Sequence, residues 1–359
     1  MTRTLNPGDL RENEPLAPFT TLGVGGAARF FVEAESETQI TEGLALAKAK
    51  GWPLFVLGGG SNIVVSDEGF PGLVIRVGLK GIRFDEMESG RLSSAAGEEW
   101  DVLVSRAVER NLAGIECLSG IPGTVGGTPI QNVGAYGQDV GETITAVRVL
   151  DKTDRNVRQI EAADCGFSYR SSIFNSVDKD RYIVLGVSFA LKPGGRPCLR
   201  YADLQKRFAG NHAAPSLAEV RQTVLEIRAA KAMVIRPGDP DSRSAGSFFK
   251  NPLVTGEMLQ CIEQRARQGG RLSAGEVLPA FEIPDGMYKL PAAWLIEKAG
   301  FRRGCNRGAV GLSSKHALAI VNQGGATARN VIDFMQEIQR GVQTAFGVDL
   351  IPEPGFIGF

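Results

Sequence analysis

Residues 118–137 read Leu-Ser-Gly-Ile-Pro-Gly-Thr-Val-Gly-Gly-Thr-Pro-Ile-Gln-Asn-Val-Gly-Ala-Tyr-Gly, and this stretch constrains the chain more than any other. Gly120, Gly123, Gly126, Gly127, Gly134 and Gly137 free the backbone for positive φ, while Pro122 and Pro129 stiffen the path between them. Backbone without side chains lets main-chain amides come close to a ligand. A second glycine loop, Leu57-Gly-Gly-Gly-Ser-Asn62, follows the apolar run from Pro53 to Leu57. Either loop alone also fits a turn-rich connection. Two such loops, each beside a predicted strand, point to a cradle for a large phosphate-bearing ligand.

At 359 residues the chain is long for a single core, so two or three domains are expected. Hydrophobic residues at 43% and charged residues at 22% fit a soluble globular enzyme. The 40 basic residues balance 40 acidic ones, which removes the electrostatic footprint of a nucleic-acid binder. The longest apolar runs are too short for membrane insertion, and the N-terminus lacks the apolar core of a secretory signal. A cytoplasmic location follows as the expectation.

Cysteines 117, 165, 198, 261 and 305 are scattered and never spaced as Cys-x-x-Cys, so reduced structural thiols are expected rather than a zinc site or disulfide framework. With only His212 and His316, a histidine-rich metal centre is excluded, and no metal is expected. His316 precedes a predicted strand at 317–321 and reads as a structural histidine.

The opening segment reads as a small α/β unit. Residues 28–33 are strand-like, and Ser36 with Gln39 forms a capping box before Ile40, Leu44 and Ala47. Strands are predicted at 53–57, 63–65, 147–150 and 182–191, and Trp100, Leu103, Val104, Ala107 and Val108 make a helical stripe. Ser216 and Glu219 cap a helix that buries Leu217, Val220, Val224, Leu225 and Ile227 and ends near Lys231. Residues 237–244 form a polar loop. A last helix opens near Thr327 and stops at Gly347, and the tail beyond it is apolar enough to fold back onto the body. Neither a Rossmann G-x-G-x-x-G in a βαβ setting nor a P-loop occurs.

Three residues invite a chemical reading. Ser247, between Gly246 and the Phe248-Phe249 pair, suits a sheltered hydroxyl for proton transfer, and equally a hydrogen-bonded strand residue. It has no G-x-S-x-G elbow and no histidine partner, so it is not a hydrolase nucleophile. Arg170 ends a strand-like run from Cys165 and offers a permanent planar cation for a carboxylate or enolate, or a surface salt bridge. Glu353, bracketed by Pro352 and Pro354 in the apolar tail, is a desolvated functional carboxylate or a turn residue.

Taken in order, Leu22-Gly-Val-Gly-Gly26, Leu57 to Asn62, Ser119 to Gly137, Tyr169-Arg-Ser-Ser-Ile-Phe174, Gly246-Ser-Phe-Phe-Lys-Asn-Pro252 and Ile351-Pro-Glu-Pro354 resemble the UDP-N-acetylenolpyruvoylglucosamine reductases. These flavoenzymes complete UDP-N-acetylmuramate for peptidoglycan, and hence serve cell shape and division. The resemblance implies an α+β architecture of the vanillyl-alcohol-oxidase type. FAD would be held noncovalently by two α+β subdomains, 1–70 and 71–214. A third α+β domain, 215–346, would bind substrate, and a tail at 347–359 would return to the active site. It also implies a monomer whose partners are NADPH and UDP-N-acetylglucosamine enolpyruvate. NADPH reduces FAD and leaves; the sugar nucleotide then enters the same space and accepts hydride at C3 of its enol ether.

By the same resemblance Ser247 protonates C2, while Arg170 and Glu353 polarise the substrate carboxylate and stabilise the enol-like intermediate. Tyr201, in the tyrosine loop of the family's larger form, would contact the diphosphate, and Tyr169, Lys231, Asn251 and His316 would also touch substrate. FAD would be held by Leu57, Gly58, Gly59, Gly60, Ser61 and Asn62 of the short loop. From the long loop it would take Ser119, Gly120, Ile121, Pro122, Gly123, Gly126, Gly127, Gln131, Asn132, Gly134, Ala135 and Tyr136. The family's usual tail reads Glu-Pro-Glu-Val-Arg; here Pro354 and Gly355 follow Glu353, and the segment 232–246 is longer than usual. Two other readings keep the glycine loops: a flavin oxidase or dehydrogenase of another small molecule, and a non-catalytic nucleotide-sugar binder.

Overall fold

The computed structural model describes residues 3–86, 89–210, 213–236 and 238–359; His212 and Pro237 of the sequence reading lie outside the described residues. The chain divides into two compact units. One comprises Met1–Glu14, Ala28–Gly60 and Phe70–Val234, the other Pro15–Ala27, Ser61–Gly69 and Ile235–Phe359.

In the first unit, a four-stranded sheet runs in the order Arg11–Pro15, Ala27–Ala34, Phe70–Val77, Leu54–Leu57, its last three strands parallel. Helix α1 (Glu37–Lys50) makes the crossover that two parallel strands require. Its N-cap is Ser36, whose hydroxyl accepts the Gln39 amide at 3.1 Å. The Gln39 side chain reaches back to the amide of Glu35 at 2.9 Å instead of that of Ser36, so only half of the predicted capping box forms. A five-stranded antiparallel sheet follows, in the order Val157–Glu161, Ile144–Asp151, Tyr182–Ala190, Arg91–Ala95, Ile82–Phe84. Helix α2 (Trp100–Glu109) buries the predicted stripe of Trp100, Leu103, Val104 and Ala107. One continuous apolar core joins Val32 and Ile75 of the first sheet, Leu103 of α2, and Val147 and Phe189 of the second sheet. Inside it the Trp100 indole donates to the Leu118 carbonyl at 2.9 Å, tying α2 to the start of the long glycine loop.

Helices α3 (Ala202–Phe208) and α4 (Leu217–Ala230) complete this unit. Ser216 and Glu219 cap α4 reciprocally, as predicted. The observed division differs from the sequence boundaries at 70 and 215. Strand Phe70–Val77 pairs with both Ala27–Ala34 and Leu54–Leu57, so a cut at 70 would separate neighbours in one sheet. Helix α4 lies with the first unit because Val220 and Val224 are buried beside Cys117 and Leu204.

The second unit packs α5 (Gly256–Gln268), α6 (Ala292–Lys298) and α7 (Ala328–Phe346) with short antiparallel sheets. Helix α7 starts at Thr327, which shares a capping box with Asn330, and stops at Gly347 in the left-handed region (φ 71°). Its Val331, Phe334, Ile338, Val342 and Phe346 enter the second core. Asp67 accepts the first two amides of α7, from Ala328 and Arg329, at 2.7 and 2.9 Å, placing an anion where the helix dipole favours one. The predicted strand at 317–321 is shorter and shifted, at Ile320–Asn322, because the Ala319 amide closes a turn onto the His316 carbonyl. The tail does fold back: Gly355–Ile357 pairs in parallel with Ile63–Val65. Among the described residues no helix is long and apolar enough to cross a membrane.

We expect Thr327→Ala to lower the stability of the second unit by about 1 kcal/mol, through the lost N-cap bond. A urea titration should show this as a lower midpoint at unchanged slope.

Candidate active site

The two glycine loops meet backbone to backbone. A Cβ added to Gly59 would lie 2.5 Å from the Gly123 Cα, and one added to Gly58 would lie 3.0 Å from the Thr124 hydroxyl. Gly60 and Gly123 hold positive φ, 62° and 120°. No residue with a side chain allows this approach, which explains why two glycine runs face each other. The amides of Gly59, Gly60, Ile121 and Gly123 find no acceptor among the described residues. Half-buried amides without partners are unusual in a finished fold, and several aimed from one loop pair suit an anionic ligand.

Other amides of the long loop are already used. Gly120 donates to Asp101 Oδ1 at 2.6 Å, and Val125 and Gly126 donate to the carbonyls of Glu98 and Ala96. Ser119 is fully buried and its hydroxyl donates to the Glu116 carbonyl at 2.6 Å. Asn132 donates to the Ser168 carbonyl and accepts the Gly141 amide. The side chains of Ser119 and Asn132 are therefore committed to holding the loop's shape. Ala135 and Gly134 pair with Gln138 and Asp139 in a short hairpin.

That hairpin positions Arg170. The predicted strand from Cys165 is instead a tight turn, with Ser168 bridged to Ser171 and Arg170 itself left-handed at φ 54°. A non-glycine residue held there marks a conformation imposed by its surroundings. The Arg170 guanidinium donates to the Gly134 carbonyl at 2.6 Å and lies 3.8 Å from Asp139. A Cβ on Gly134 would fall 1.6 Å from Asp139 Oδ1 and 2.9 Å from Arg170 Nη1, so glycine is required for the pair to pass. The Arg170 guanidinium also lies over the Tyr169 ring, 5.4 Å from its centroid.

A second cluster in the first unit joins Tyr136, Tyr201 and Lys231. The two rings meet edge to face at 5.1 Å, and Lys231 Nζ lies 5.9 Å from each centroid and 3.5 Å from Asp203. Burial pushes the Tyr136 phenol up to about 12 and raises that of Tyr201 as well, so both remain hydrogen-bond donors at neutral pH.

In the second unit, the segment carrying Ser247 runs antiparallel to the tail carrying Glu353. The Glu353 amide donates to the Phe248 carbonyl at 2.9 Å and the Lys250 amide to Ile351, with Phe249 bridged to Pro352. Gly246 turns the chain with φ 75° just before Ser247. Phe248 and Phe249 are buried, and the Ser247 hydroxyl has no partner among the described residues. Asn62 ties the same tail, donating to the Glu353 carbonyl at 3.3 Å and accepting the Gly355 amide at 2.9 Å. The structure thus brings Ser247 and Glu353 onto paired segments. Asn251 caps α6, its side-chain oxygen accepting the Ala292 amide at 2.9 Å, and His316 occupies the turn before Ile320–Asn322.

A family model described as FAD binding domain matches residues 28–158, and the UDP-N-acetylenolpyruvoylglucosamine reductase C-terminal domain matches residues 239–357. The UDP-N-acetylenolpyruvoylglucosamine reductase of Thermobifida fusca is 45% identical over 351 residues, 96% of this chain and 97% of its own. The chain belongs to the UDP-N-acetylenolpyruvoylglucosamine reductase family. The Streptomyces coelicolor enzyme of that name is 43% identical over 99% of this chain and 92% of its own. The crystal structure of the Thermus caldophilus enzyme superposes with a TM-score of 0.65 at 25% identity, covering 97% of this chain and 99% of that one.

The family's cofactor fits the loops that the first unit presents. The glycine cradle and its unpartnered amides suit the FAD diphosphate, and the expected FAD binding domain is present in a mixed α and β unit. Sequence reading missed Asp139 and Asp203. Both are acidic residues close to a recognised cation, and only the folded chain brings Asp139 to Arg170 and Asp203 to Lys231. We expect Gly59→Val to abolish stoichiometric FAD while far-UV circular dichroism stays native, because the added branches must displace the Gly123 backbone. Undiminished FAD in that variant would refute the cradle.

Proposed function

We propose that Ser247, Arg170 and Glu353 divide the chemistry by which this family member reduces UDP-N-acetylglucosamine enolpyruvate to UDP-N-acetylmuramate. The chain is an FAD-dependent oxidoreductase of peptidoglycan precursor synthesis with NADPH as co-substrate. The chemistry that bound FAD would supply there is hydride transfer, from NADPH to the enol ether. The observation that carries the assignment is the Ser247 hydroxyl, unpartnered and held on a segment hydrogen-bonded to the one that carries Glu353.

Hydride addition at C3 leaves negative charge toward C2 and the substrate carboxylate. A serine hydroxyl is a weak acid, yet a carbanion-like C2 is basic enough to take its proton. The Gly246 amide donates to the Ser244 hydroxyl at 3.3 Å and the Phe248 amide to the Leu318 carbonyl at 2.8 Å, which holds the backbone on both sides of Ser247. Arg170 contributes charge that does not depend on pH, and its turn and the Gly134 carbonyl hold the guanidinium before substrate arrives. Glu353, kept in place by main-chain bonds at residues 353 and 355, acts on the same developing charge. Tyr169, Tyr201, Lys231, Asn251 and His316 are assigned to the sugar nucleotide. Tyr201 and Lys231 support the diphosphate in particular: together they offer one cation and one phenol donor, with Lys231 Nζ 5.9 Å from the Tyr201 ring centroid. A cytoplasmic monomer is part of the same proposal.

The test separates the two half-reactions. Ser247→Ala should leave bleaching of the flavin by NADPH unchanged and slow reoxidation by the enolpyruvyl sugar nucleotide by about 100-fold or more. Equal loss in both halves would contradict the assignment. Glu353→Gln should show the same asymmetry with substrate binding largely kept. If it loses FAD instead, the tail is structural and Glu353 is not catalytic.

A further inference from the structure

Just before the long glycine loop, Glu116 is fully buried. Among the described residues no lysine or arginine pairs with its carboxylate, and three N–H donors surround it instead. Oε2 accepts the Gly114 amide at 2.8 Å. Oε1 accepts both the Gln138 side-chain amide at 2.9 Å and the Cys198 main-chain amide at 2.7 Å. The Gln138 carboxamide is itself oriented, because its oxygen accepts the Cys117 amide at 2.8 Å. Taking a carboxylate out of water without a cation is costly, and an apolar residue of similar size would avoid that cost. What the carboxylate adds is geometry, since it fastens three separate main-chain or side-chain donors at one point.

The segments so fastened are the glycine loop and the tyrosine segment. Gln138 directly follows the stretch 118–137, so its bond to Glu116 closes the loop at its base. Cys198 stands three residues before Tyr201, which is the N-cap of α3. The Cys198 peptide is gripped on both sides: its amide donates to Glu116, and its carbonyl accepts the Cys117 thiol at 3.3 Å. The two segments lie close, since a Cβ on Gly137, at φ 86°, would come 2.8 Å from the Arg200 Cβ and 3.4 Å from the Tyr201 nitrogen. Tyr201 itself is exposed, so its place depends on the segment that carries it. Leu204 anchors that segment in the core beyond Tyr201, and Glu116 anchors it before. We infer that Glu116 is a positioning residue for the sugar nucleotide, acting through the Cys198 amide to hold Tyr201 where it meets the substrate diphosphate. The inference rests on the assignment of Tyr201 to the diphosphate made above. A donor ordered before the ligand arrives spares the binding step that ordering cost, so the effect belongs in affinity and not in the hydride step.

The test compares the FAD-loaded wild type with Glu116→Met, Tyr201→Ala and the double variant in steady-state turnover. We expect Glu116→Met to raise the KM for UDP-N-acetylglucosamine enolpyruvate about tenfold, with kcat within about twofold of wild type and flavin content unchanged. Tyr201→Ala should raise KM as well, and the double variant should exceed it by less than about twofold, because both changes remove one shared contact. A lower melting temperature with wild-type KM in Glu116→Met would overturn the inference. So would a KM in the double variant that multiplies the two single effects, or a Glu116→Met protein whose main defect is lost FAD. Should Glu116→Met not fold, Glu116→Asp carries the test, since its carboxylate stops one methylene short of the Cys198 and Gln138 donors. The same cycle with Tyr201→Ala is then expected at about threefold in KM, and an unchanged KM in that variant refutes the role. Tyr201→Ala with wild-type KM is a different result: it sinks the diphosphate assignment of Tyr201, and the inference built on it falls as well.

Discussion

The contact between Gly59 and Gly123 is the constraint on which the first unit's function depends. Two loops from separate parts of the chain touch through their main chains, and a single methyl group on Gly59 would part them. The approach leaves a group of amides with no acceptor among the described residues. Strand Leu54–Leu57, anchored against Phe70–Val77, delivers one loop; α2, through the Trp100 indole and the Leu118 carbonyl, anchors the other. The regular structure is rigid so that the irregular structure can remain unsatisfied.

A similar economy recurs around the proposed catalytic groups. Arg170 reaches its position through a left-handed turn, and Gly134 makes room for its partner Asp139. Glu353 lies in a tail that would fray alone, but main-chain bonds to Phe248 and Asn62 and a parallel pairing with Ile63–Val65 hold it. In each case backbone geometry sets where the residue stands. The Pro354-Gly355 departure from the usual family tail is compatible with this, because Gly355 begins the strand that docks the tail.

Much of this was legible in the residues. Helix α7 opened at Thr327 and closed at Gly347 as its capping pattern required, and Ser216 with Glu219 capped α4. Such signals are local: a cap and its amide lie three residues apart, so sequence spacing is enough. The glycine loops and the Ser247 and Glu353 segments were visible as motifs for the same reason. The turn at Arg170 was misread as the end of a strand, because a left-handed arginine has no signature in composition. Glu116 passed unnoticed because two of its three donors, at Gln138 and Cys198, lie far along the chain and leave no local signature.

The sequence by itself determined the elements, their caps, the two glycine loops and the family to which they belong. Only the tertiary structure decided which loop amides are spent and which are spare, that α4 joins the first unit, and that Ser247 and Glu353 lie on paired segments. The reason is physical. A cap or turn is chosen by free energy within a few residues, whereas the partner of a buried amide or cation is fixed by chain segments tens or hundreds of positions away.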